Sequence, residues 1–71
     1  MEFLRSFLAL GTINEQQQNY DKAIEYYLAG MEEAEVQGNR RIMAYFYNNI
    51  AIVYELTGFF DKAIENYRKA S

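Results

Sequence analysis

The sequence predicts an all-α fold built from two copies of a helical hairpin. The octet Tyr-Asp-Lys-Ala-Ile-Glu-Tyr-Tyr at 20–27 returns forty residues later at 60–67, with six of its eight residues identical. A return at a fixed period of roughly 20–50 residues indicates a repeat architecture. The chain also contains no Pro and only four Gly, and uninterrupted stretches rich in Ala, Leu, Glu and Lys favour helices.

Short breaks between the helix-forming segments predict four helices, at about residues 2–17, 20–37, 40–57 and 60 to the end of the chain. Asn19 is a candidate N-cap of the second helix, because its side chain can accept a hydrogen bond from a first-turn amide. Gly38 suits a helix end, since glycine readily adopts positive φ. Connections of only a few residues make consecutive helices antiparallel neighbours.

The third helix carries apolar residues on nearly every side, and such a helix is expected to be buried between its neighbours. Its core stripe is predicted to be Tyr47, Ile50, Ala51 and Tyr54. The last helix has no successor in this sequence to cover Phe60, Ile64 and Tyr67. Repeat arrays normally end on a polar cap. We therefore expect either a piece of a longer repeat protein or chains that pair through this open end.

Composition excludes several classes of function. The 71 residues make one small domain, 1–71, and contain neither Cys nor His. No phosphate loop, nucleophile motif or metal-ligand motif occurs, so neither an enzyme nor a cofactor is expected. A net charge of −3 argues against nucleic acid. No apolar run is long enough to span a membrane, and Glu2 stands where a signal peptide needs a basic residue. A cytoplasmic location follows as the default.

A second, degenerate pattern covers nearly the whole chain. The unit that begins the second half places aromatic, small and glycine residues at Tyr47, Ala51, Tyr54, Gly58, Phe60, Ala63, Tyr67 and Ala70. The first half is in phase, with Phe7, Leu10, Gly11, Tyr20, Ala23, Tyr27 and Gly30. This pattern resembles the tetratricopeptide repeat (TPR) family. The first half departs from it at Asn14, where the family usually has Tyr, and at Gln18, where it usually has Gly.

The resemblance implies two TPR helix-turn-helix units, about 4–39 and 40–71, in a short right-handed superhelical segment. The ordinary family repeat is about thirty-four residues. The forty-residue period is similar to the extended repeats of Leu-Gly-Asn scaffold proteins, kinesin light chains and many bacterial signalling proteins. HEAT and armadillo repeats share this period, but they lack the Ala and Tyr pattern seen here.

The family uses the first helix of each unit to line a concave groove. The resemblance therefore implies a protein or peptide partner held by Arg5, Leu8, Thr12, Tyr45, Asn48, Asn49 and Ile52. Asn49 falls where many family members bond the backbone of a bound peptide. An amide can both donate to and accept from an extended chain. The alternative for Asn49 is a helix cap or an inter-helix hydrogen bond.

Several other side chains could either contact a ligand or have only a structural or solvent-exposed role. Some family members grip a terminal carboxylate with Lys and Asn, but Leu8 and Thr12 stand at those positions, so that clamp is incomplete. Arg5 could steer an acidic peptide or simply be solvated. The run Glu32, Glu33 and Glu35 is better explained as a solvated helix face than as a binding patch. Phe59 is either a contact residue or a ring tucked beneath the turn.

The leading functional hypothesis is a protein-interaction module that holds a peptide or helix in the groove. The runner-up is a self-assembly element in which the uncovered last helix docks on another chain, as a homo-oligomer or through a domain swap. A third hypothesis, by family analogy alone, is the peptide-sensing part of a bacterial regulator.

Overall fold

The computed structural model describes residues 2–71, with side chains from Arg5 onward. Leu4, the expected start of the first repeat, therefore has no described side chain. The four predicted helices are confirmed, and each of the first three ends one residue before its predicted end. They are α1 Glu2–Gln16, α2 Tyr20–Val36, α3 Arg40–Leu56 and α4 Phe60–Ala70.

All three turns use the same helix-ending geometry, in which one residue adopts positive φ. That residue is Gln18, Gly38 or Gly58, with φ of 65°, 67° and 87°. The amide of the next residue reaches back to a carbonyl of the helix just ended, as in Asn19 N to Asn14 O at 2.7 Å. This motif satisfies carbonyls that the helix end would leave without partners. Each connection therefore needs only three residues, which makes the helices antiparallel.

The residue after each positive-φ position is the N-cap of the next helix. Asn39 caps α3 with its side chain, because its Oδ1 accepts a hydrogen bond from the Ile42 amide at 3.2 Å. Asn19 occupies the predicted N-cap position of α2, but its side chain makes no cap hydrogen bond. Asp21 and Asp61 lie in the first turns of α2 and α4, where a negative charge favours the helix dipole.

The helices form a row in which each packs on the next: α1 on α2, α2 on α3 and α3 on α4. The row is flat, with Cα extents of 31 × 25 × 12 Å. Its core consists of small residues, two aromatic rings and two branched aliphatic residues, which are Ala23, Tyr27, Ala34, Phe46, Ile50, Ala51, Val53 and Ala63. The alanines of the repeat pattern, Ala23, Ala51 and Ala63, are thus buried.

Two glycines set the spacing of neighbouring helices. A Cβ on Gly11 of α1 would overlap three atoms of the Tyr27 ring of α2. A Cβ on Gly30 of α2 would overlap three atoms of the Phe46 ring of α3 in the same way. The two rings also contact each other, with centroids 6.3 Å apart and planes tilted by 56°. Both joints therefore depend on a ring lying against a bare backbone, which no larger residue allows without repacking.

The expectation that α3 is buried nearly all round is wrong. Tyr45 and Leu56 are exposed over 56% and 57% of their surfaces, because α3 packs on α2 and α4 and leaves a third side open. Its predicted core stripe is also incomplete. Phe46 and Val53 are buried, whereas Tyr47 and Tyr54 are only half-buried. The predicted stripe contains only residues expected to face α4, the other helix of the same hairpin. It therefore omits Phe46, which packs against α2.

Within the part of the chain that the structure describes, no helix has both the length and the apolar character needed to cross a membrane.

Replacing Gln18 with Gly is predicted to stabilise the protein. A left-handed conformation costs a non-glycine residue about 1–2 kcal/mol. Glycine loses more chain entropy on folding, by roughly 0.5–1 kcal/mol. The net gain expected for Gln18→Gly is about 0.5–1 kcal/mol in the free energy of unfolding, measured by urea denaturation.

The neighbouring substitution Gln17→Gly is the matched control, because Gln17 is not among the residues with positive φ. It should leave stability unchanged or lower it. Equal effects of the two substitutions would contradict the assigned backbone strain.

Candidate functional site

The seven residues of the predicted groove all lie on the first helix of a hairpin. We call them the groove stripe: Arg5, Leu8 and Thr12 on α1, with Tyr45, Asn48, Asn49 and Ile52 on α3. Arg5, Tyr45 and Asn48 are exposed, and the other four are half-buried. Leu8 also packs against the buried core. The stripe therefore combines three accessible side chains with four that are partly engaged within the fold.

A hydrogen-bonded cluster joins α1 to α2 beside Thr12. The Tyr27 hydroxyl donates to Oε1 of Glu15 at 3.0 Å, and Oγ1 of Thr12 lies 3.2 Å from the same hydroxyl. Burial is the main cause that raises the pKa of Tyr27 to about 12. The hydrogen bond with Thr12 lowers this pKa, whereas the hydrogen bond to Glu15 and the charge of that carboxylate raise it further. The structure thus brings Thr12 and Glu15 of α1 to one buried phenol of α2.

The same pair recurs forty residues later. The Tyr67 hydroxyl donates to Oε1 of Glu55 at 2.8 Å, in an exposed setting. This hydrogen bond is the largest cause that raises the pKa of Tyr67. Ile52 stands where the first repeat has Thr12, so the second copy of the cluster has no hydroxyl partner at that position. The recurrence indicates that a Glu–Tyr bond fastens the two helices of each hairpin.

Asn49 makes a bond that neither sequence interpretation foresaw. Its Nδ2 donates to the backbone oxygen of Tyr45 at 3.0 Å, one turn earlier in the same helix. The bond is neither a cap nor a contact between helices. It fixes the amide against its own helix, while Asn48 at the preceding position is exposed. The ligand role predicted for Asn49 stays a prediction.

A family model of the tetratricopeptide repeat matches residues 2–71. The chain belongs to the tetratricopeptide repeat family. No curated protein and no solved structure matches it. Tetratricopeptide repeats are generally protein–protein interaction modules on a non-catalytic scaffold. The resemblance to this family is thereby confirmed, whereas the extended subtype of forty-residue repeats stays a prediction.

The ring of Phe59 has a defined place in this tetratricopeptide repeat. It meets the Tyr54 ring edge-on, with centroids 6.2 Å apart. The Lys62 ammonium lies over both rings, 5.5 Å from the Tyr54 centroid and 5.7 Å from that of Phe59. Phe59 still exposes 56% of its surface. It is therefore part of an aromatic–lysine stack on the turn that opens α4, and it is not tucked beneath it.

One surface hollow of the described structure, of about 610 Å³, lies beside the α1–α2 turn, between Gln18, Asp21 and Thr57. No residue of the stripe lines it. Its wall comes from a turn and a helix start, which hold backbone groups and solvated charges. Interaction modules bind extended or helical peptide segments along a sheet edge or in a groove, and this hollow contains none of the residues that the family resemblance implies.

The Tyr27 cluster predicts how stability depends on alkaline pH. The folded-state pKa, about 12, lies above the ordinary value of 10.0. The contribution of Tyr27 to the free energy of unfolding is therefore fully present below about pH 10 and is lost as pH rises through about 12. Between these values the wild-type protein should lose more of its free energy of unfolding than Tyr27→Phe does.

The matched variant is Tyr67→Phe, which removes the equivalent but exposed bond. The pH dependence of its free energy of unfolding should stay closer to that of the wild type. At neutral pH, Tyr27→Phe should cost about 1 kcal/mol for the lost hydrogen bond. Parallel pH curves for the wild type and Tyr27→Phe would contradict the assigned burial effect.

Proposed function

We propose that the chain holds a peptide or a helix of a partner protein against the groove stripe. The observation that supports this most directly is the exposed pair Tyr45 and Asn48, which lie one turn apart on the open side of α3. A tyrosine offers a large apolar ring with a polar tip. A neighbouring amide can donate to and accept from a peptide backbone.

The two halves of the stripe differ in chemistry. A shift of forty residues places Arg5 against Tyr45 and Leu8 against Asn48. The α1 half offers a cation and an apolar surface, and the α3 half offers an aromatic ring and amides. A ligand that lies across both halves would place an acidic or apolar segment at α1. The exposed backbone groups of that ligand would face α3.

Self-assembly through α4 is the second candidate function, and a specific observation favours it. Phe60 and Ile64 expose 62% and 51% of their surfaces on one side of α4. Sedimentation across a dilution series tests this candidate. A folded species that stays monomeric at every concentration would eliminate it.

The groove proposal is tested with a random-peptide display library selected on the intact chain. Enriched peptides should shift the amide resonances of α1 and α3 at the stripe. The double variant Tyr45→Ala with Asn48→Ala should weaken their binding at least about tenfold, because an aromatic anchor and its neighbouring amide are lost.

The matched control is Glu32→Ala with Glu35→Ala, which changes two exposed residues of α2 outside the stripe. It should bind the selected peptides like the wild type. Peptides that shift only α4 resonances, or that bind the Tyr45/Asn48 variant unchanged, would contradict the groove proposal.

A further inference from the structure

The two outer helices of the row carry exposed apolar side chains at opposite ends of the molecule. On α1, Leu10 and Ile13 expose 39% and 48% of their surfaces, and Ser6 is exposed beside them on the same side. We call these three residues the α1 end face. On α4, Phe60 and Ile64 are exposed, and Ala70 at the end of the helix is half-buried. We call these three residues the α4 end face.

Each end face corresponds to one side of the internal α2·α3 joint. Adding forty to the α1 end face gives Phe46, Ile50 and Val53, which are buried on α3. Subtracting forty from the α4 end face gives Tyr20, Ile24 and Gly30 on α2. Tyr20 and Ile24 pack against the core cluster that contains Phe46, Ile50 and Val53. The surfaces that meet at the α2·α3 joint are therefore repeated as exposed surfaces on α1 and α4 of the described structure.

The sizes of the contact residues also match across the two ends. Inside the chain, the Phe46 ring occupies the space left by Gly30, where a Cβ would overlap it. At the ends, Ser6 stands at the ring position and Ala70 at the glycine position. The Cβ of Ala70 excludes a phenylalanine ring in that geometry, but it leaves room for serine. Both contact positions therefore differ from the internal joint, with serine in place of phenylalanine and alanine in place of glycine.

We propose that a second copy of this chain docks its α1 end face on the α4 end face of the first copy. The contact repeats the internal α2·α3 joint, with Leu10 and Ile13 of one copy on Phe60 and Ile64 of the other. This inference deepens the second candidate function and is independent of the groove. The groove stripe lies on other positions of α1 and α3.

Docking of α1 on α4 joins two different surfaces, so it is a head-to-tail contact. Such a contact leaves one face open at each end and adds further copies unless the rotation closes a ring. The expected solution behaviour is a mass that rises with concentration beyond that of a dimer.

The test uses two matched substitutions, Ile13→Glu and Ile64→Glu, each of which blocks one end face. Both residues are about equally exposed, at 48% and 51%, so neither change disturbs a buried core. Val36→Glu is the control, because Val36 is 81% exposed and belongs to neither end face. Circular dichroism verifies that all variants stay helical, and sedimentation velocity measures their mass.

The wild type and Val36→Glu are expected to assemble. Ile13→Glu and Ile64→Glu are each expected to lose self-association at least about tenfold. Their equimolar mixture should form a 1:1 dimer and nothing larger, because the mixture holds one intact α1 end face and one intact α4 end face. The three variants change net charge equally, so repulsion alone would affect all of them alike.

Three results would overturn the proposal, and they separate it from the candidate on which it rests. Self-association of Ile13→Glu alone would show that α4 faces pair with each other. That outcome keeps assembly through α4 but removes the head-to-tail contact. A mixture that stays monomeric would also remove that contact. A wild-type protein that stays monomeric at every concentration would contradict both the head-to-tail contact and assembly through α4. Peptide binding at the groove stripe could still be measured.

Discussion

The absence of two side chains determines how closely the helices of this protein approach. Gly11 lies against the Tyr27 ring and Gly30 against the Phe46 ring, and in both places a single added carbon would overlap the ring. The two rings touch each other as well. Three helices are therefore held by one continuous contact, in which each aromatic ring fills the space left by a glycine on the preceding helix.

The candidate site depends on this spacing. Because the Tyr27 ring lies on Gly11, its hydroxyl reaches Glu15 and Thr12 on α1. Because the Phe46 ring lies on Gly30, α3 is held beside α2, and the Phe46 ring also meets the Tyr27 ring. The groove stripe thus inherits its geometry from the core, and the open end faces inherit their apolar character from the same repeated joint.

Much of the fold could be predicted from the sequence, because the turns are marked by glycine or asparagine and the octet recurs in phase. The packing between repeats could not. Phe46 lies outside the stripe that faces α4, and only the fold shows that it meets Gly30. Gln18 could be recognised as a departure but not as a strained residue. The groove positions followed from the family. The Tyr27–Glu15 hydrogen bond could not be predicted without the spacing of α1 and α2. The return of the same two residue types as Glu55 and Tyr67, forty residues later, was a signal in the sequence.

A double-mutant cycle between Gly30→Ala and Phe46→Leu tests most directly whether a ring on a bare backbone sets the helix spacing. The free energy of unfolding of all four proteins is measured by denaturation. Gly30→Ala alone should destabilise the wild type by about 1–2 kcal/mol through overlap with the ring. It should cost much less in the Phe46→Leu background, because the smaller side chain relieves the overlap. Additive effects of the two substitutions would contradict the account.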